Sequence, residues 1–156
     1  GVSAAAPAHH FGDARGLLTA LAAEAFRAFG DALEAVDQGG SREERVRAQG
    51  LAYVRFALDN RGKFDLMWRY ALVDRDDPAY RAASARAFLI LDRVVRGDQP
   101  PPPEPNDLSI APSIACWSIA HGFARLAVDG VFGTAPEDAD RVVEHLLPVV
   151  LRHLRV

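Results

Sequence analysis

Trp117 and His121 stand four residues apart in the stretch Ala115-Cys116-Trp117-Ser118-Ile119-Ala120-His121-Gly122. On a helix that spacing puts an indole N–H donor and an imidazole on one face. Such a pair suits the fixing of a small ligand by hydrogen bonds within an apolar wall. The other reactive side chains fail the geometric demands of catalysis or metal binding. Cys116 and His121 are five apart, share a helical face poorly and have no evident third group to complete a nucleophilic site. His9 and His10 are adjacent, so their rings diverge on a helix, and no third metal ligand is evident. His145 and His153 lack the spacing of a helical metal pair. Asp138 and Asp140 fall in the first turn of a predicted helix, where acidic side chains suit the dipole. No glycine-rich phosphate loop or metalloprotease motif occurs. These residues supply no acid–base, nucleophilic or metal-ligand constellation, so an enzyme, a metal or a cofactor is not expected.

The elements that must position this pair read at helical period, and no run alternates at the strand period of two. Asp13 caps a predicted helix to about Val36, with Leu17, Leu18, Leu21, Ala25, Phe29, Leu33 and Val36 on one side. Ser41 and Glu44 form a capping-box pattern that opens a second helix, with Val46, Gly50, Leu51, Val54, Ala57 and Leu58 as its buried stripe, ending near Asn60. A short apolar helix is expected from Phe64 to about Val73. Asp76-Asp77-Pro78 starts the next, which Gly97 closes. Pro100, Pro101, Pro102, Pro103 and Pro105 then enforce an extended polyproline loop. Two long helices follow, at about 108–129 and 136–154, the second capped by Thr134 with Glu137 and bent near Pro148. The architecture is an all-α helical bundle.

The bulk properties agree. The 156 residues are 49% hydrophobic and 25% charged, enough for one domain with a real core. No stretch approaches the roughly 18 apolar residues of a membrane span, and the N-terminus lacks the pattern of a signal peptide. Cys116 is the only cysteine, so a reducing, cytoplasmic compartment is expected. The net charge of −3 excludes a chain-wide nucleic-acid coat, so any DNA contact must be local.

Two passages carry a resemblance. Gly1-Val2-Ser3, a short helix, His10-Phe11, and then Leu17-Leu18 resemble the TetR family of transcriptional regulators from the turn of its helix-turn-helix into the long connecting helix. The Trp117-x-x-x-His121-Gly122 helix, ending at Asp129-Gly130, resembles a C-terminal class of the same family. Between them, Tyr53 to Asn60 and Phe64 to Met67 look like its middle helices. The resemblance implies a TetR-like bundle, with residues 1–15 as the remnant of the DNA-binding motif and residues 16–156 as a regulatory and dimerisation domain. Ser3, Ala4, Ala5 and His9 would face the major groove, with Arg15 as a phosphate contact. Pro7, Ala8 and Ala14 depart from the family pattern and remove phosphate contacts.

The resemblance further implies a homodimer built on the last two helices, with Phe123, Leu126, Val143, Leu147, Val150 and Leu154 as interface candidates. It also implies a pocket for a small, largely apolar effector, for which Phe56, Phe64, Met67, Trp68, Phe88, Trp117 and His121 are the candidates. Effector binding would tilt the helix from Asp13 to Val36 and release operator DNA. The alternative is a helical ligand-binding or interaction module that has lost DNA binding.

Overall fold

The structure, a computed structural model, describes residues 13–97, 99, 100, 104 and 107–153. Helix α1 (Ala14–Ala35) begins where the Asp13 carboxylate accepts the Gly16 amide at 2.8 Å. Helix α2 (Arg42–Asp59) opens with the expected capping box: Glu44 accepts the Ser41 amide, and the Ser41 hydroxyl accepts the Glu44 amide. Helix α3 (Arg61–Met67) follows with Asn60 as the hinge. Asp77 and Pro78 start α4 (Pro78–Arg96), and Gly97 ends it with φ 69°, a left-handed conformation that glycine adopts without strain. A 3₁₀ turn (Leu108–Ile110) leads into α5 (Ala111–Val128). The last element runs as α6 (Pro136–Arg141), a π turn (Val142–Leu146) and α7 (Leu147–Leu151).

Three local expectations are corrected. Helix α3 starts at Arg61 and stops at Met67, so the segment 68–77 is irregular where a helix to Val73 was expected. The cap of α6 is Ala135, whose amide donates to Asp138 at 3.0 Å; with Pro136 at the first helical position, the pattern sits one residue later than Thr134 and Glu137 suggested. Near Pro148 the disruption takes the form of a π turn, in which the Leu147 amide reaches back to the Val142 carbonyl. Proline lacks the amide that the Glu144 carbonyl would have used, and a widened turn absorbs the mismatch.

Helix α1 packs mainly on α4, and α2 lies against α5 and the last helix. The core stripe of α1 runs through Ala22, Phe26, Phe29 and Leu33, whereas Leu21 and Val36 are exposed. Close packing of α2 on α7 depends on Gly50, because a β-carbon there would stand 2.9 Å from a Leu151 methyl. Helices α4 and α5 are locked by buried polar groups. Arg96 donates twice to Asp92, at 2.6 and 2.7 Å, and the Ser113 hydroxyl donates to the same carboxylate at 2.7 Å. Those contacts, the guanidinium first, hold the Asp92 carboxyl below its usual range.

Candidate functional site

Tyr53 is the pivot. It sits on the stripe Val46, Gly50, Tyr53, Ala57 of α2 and is buried. Helix α5 brings Trp117 and His121 to it from the other side. The Trp117 indole donates to the Tyr53 oxygen at 3.1 Å, and that oxygen lies 2.9 Å from His121 Nδ1. An indole only donates, so the phenol oxygen accepts from Trp117; its own hydrogen goes to Nδ1 when His121 is the neutral Nε2–H tautomer. Burial, and secondarily the charge of Arg125, lowers the His121 pKa, which favours that neutral form. Burial also raises the Tyr53 pKa. The Cys116 thiol is likewise pushed up by burial, which makes it a poor nucleophile.

Aromatic rings converge around this triad. Trp68 meets His121 edge to face at 4.8 Å and Trp117 at 5.7 Å, and Phe88 approaches Trp117 at 5.8 Å. Beside them opens a cavity of about 680 Å³, within the range of small-molecule sites. Its walls come from α1, α2, α4 and α5, and its rim from the irregular segment 68–77. Of the effector-site candidates, Trp68, Phe88 and Trp117 line it. Phe64 and Met67 do not: they are fully buried behind the wall. Phe56 packs instead on Phe29 at 5.2 Å, and His121 acts from behind through Tyr53.

Sequence reasoning missed Tyr53 as a wall residue, although its place on the α2 stripe was readable. It also missed Tyr70, Arg75 and Arg81, which border the cavity. No periodic signal marks the first two, because they lie outside any helix.

The rim is tied to the start of α1. Arg15 Nη2 donates to the Val73 carbonyl at 2.9 Å, and the Asp74 amide donates to Thr19 Oγ1 at 2.8 Å. Arg15, expected at a DNA phosphate, thus holds the cavity rim. Ser3, Ala4, Ala5 and His9 lie outside the described residues, as does Leu154.

The interface candidates divide. Phe123, Val143 and Leu147 are turned into the chain's own core, with Phe123 stacked on Phe132 at 5.0 Å. As core residues they are not available to a partner. Leu126 is exposed and Val150 half-buried. Among the described residues, the large exposed apolar side chains of these helices are Ile114, Ile119 and Leu126 on α5, and Leu146 and Val149 on the last element. Among the described residues no helix is long and apolar enough to cross a membrane, and no group of three His, Cys, Asp or Glu is placed to hold a metal ion.

Comparison with known proteins puts this geometry in context. No curated protein matches the chain. A solved structure of a protein with unknown function from Rhodococcus sp. RHA1 is similar, at 30% sequence identity and a TM-score of 0.72, over 99% of this chain and 79% of that one. Residues 46–150 match the family described as the tetracyclin repressor-like C-terminal domain. The chain therefore belongs to the TetR-like family and carries its C-terminal regulatory domain.

Proposed function

We propose that this chain is the regulatory and dimerisation part of a TetR-type transcriptional repressor, acting without enzymatic chemistry in the cytoplasm. A small, largely apolar effector enters the cavity and releases operator DNA. One observation carries this reading: a cavity of about 680 Å³, walled by aromatic side chains, has its rim hydrogen-bonded to the first turns of α1. In the family's layout α1 is the helix that follows the reading head. An occupant that moves the segment 68–77 therefore moves the base of that head. The ligand shifts the balance only by its differential affinity for the two arrangements.

The second part of the reading is a homodimer, which would present two heads to half-sites roughly 34 Å apart. Support comes from the exposed Ile119 and Leu126 on one side of α5. Gly122 lies between them, and a β-carbon on it would meet nothing within 4 Å in this chain. A partner helix has room to approach there.

Calorimetry with 2-naphthamide, a neutral and largely apolar probe, tests the effector site. Saturable binding of one molecule per chain is expected. Ala85→Trp, which fills the cavity from an exposed wall position, should weaken it at least tenfold. No saturable heat with the wild-type chain, or equal binding by the Trp variant, would overturn the reading.

A further inference from the structure

The chemistry of the cavity mouth differs from that of its floor. Phe26, Phe29, Phe88 and Trp117 supply apolar and aromatic wall, whereas the rim carries Arg75 and Arg81. Arg75 lies over the Tyr70 ring, 4.3 Å from its centroid, so that its side chain is held at the rim by a cation–π contact. Among the described residues neither arginine forms an ion pair. By contrast Arg86, on the same helix as Arg81, is bound to both Asp31 and Glu34. Among the described residues, the cavity lining sets the single carboxylate of Asp76 against the two guanidinium groups of Arg75 and Arg81.

We propose that the effector is an amphipathic organic acid with a flat apolar body. The body stacks between the aromatic walls, and its carboxylate lies at the mouth between Arg75 and Arg81. Guanidinium groups bind carboxylates with charge-assisted, often bidentate hydrogen bonds. Because both arginines are exposed, their attraction is screened by salt. This inference rests on the effector-site reading above and adds the charge of the ligand.

The test compares three probes of one shape by calorimetry: 2-naphthoate, 2-naphthamide and the 2-naphthylmethylammonium ion. The carboxylate should bind at least tenfold more tightly than the amide, with the ammonium weakest, and the carboxylate's advantage should shrink as salt rises. In the Arg75→Gln/Arg81→Gln double variant, the ratio of carboxylate to amide affinity should fall to near one. Arg141→Gln, an exposed arginine away from the cavity, should leave that ratio unchanged. Amide binding equal to or tighter than the carboxylate's, or a preference kept by the double variant, would overturn the organic-acid inference while leaving the effector site standing. If none of the three probes binds, the effector site itself falls, and the inference with it.

Discussion

Leu147→Ala is expected to destabilise the chain by about 2–5 kcal/mol, measured by urea or thermal unfolding. Leu147 is 0% exposed, and with Leu151 it forms the face of the last helix that meets the core. Truncation removes its transfer free energy and leaves a cavity that the neighbouring α2 cannot fully close. Leu147→Glu, which buries a charge without a partner, should leave the chain unfolded. Leu126→Glu supplies the contrast. At 46% exposure the new carboxylate costs the folded chain little, but it falls in the proposed dimer face. By light scattering the wild type should weigh two chains and the Leu126→Glu variant one, with the helical circular dichroism unchanged. A folded, dimeric Leu126→Glu protein would remove this face from the interface.

The second large effect is expected at Tyr53. Tyr53→Ala should cost about 3–5 kcal/mol, the range for deleting a buried aromatic ring. The ring is 1% exposed and packs edge to face on Phe29 and Phe64. Tyr53→Phe isolates the hydroxyl. It leaves the Trp117 N–H and His121 Nδ1 without their shared partner, at about 1–3 kcal/mol. The pH dependence of stability follows from the same contact. The His121 pKa is lowered in the folded chain, so as pH falls the unfolded chain takes up this proton first. Stability then rises with pH in this range. The contribution is whole above the ordinary histidine value of 6.5 and is lost as pH falls below it toward the lowered folded value. His121→Gln should flatten that part of the unfolding profile between pH 8 and 5.5.

Where local chemistry decides, the sequence was readable. Asp13, the Ser41 and Glu44 pair, Asp77-Pro78 and Gly97 each mark a boundary by satisfying or ending backbone hydrogen bonds, and the structure keeps all four. Where tertiary packing decides, it was not. Periodicity shows that the last helix has apolar residues to bury, but not whether their partner is the same chain or a second one, and Val143 and Leu147 went to the core. Spacing puts Trp117 and His121 on one face, yet it cannot show that a tyrosine 64 residues earlier joins them. The cavity rim was least legible, because Tyr70, Arg75 and Asp76 belong to a segment without period whose place is set by hydrogen bonds to Arg15 and Thr19.

Those two bonds bear on the central claim, that occupancy of the cavity repositions α1. The most direct measurement is the pulsed electron–electron distance between nitroxides on Ala14→Cys in the two subunits, with Cys116→Ser to leave a single label site. Ala14 is exposed and opens α1, so the label reports the first turn of α1, the base of the proposed reading head. A switch predicts one inter-subunit distance distribution without ligand and a shifted one when 2-naphthoate saturates the cavity. The same distribution with the cavity full, or no dipolar coupling at all, would contradict it.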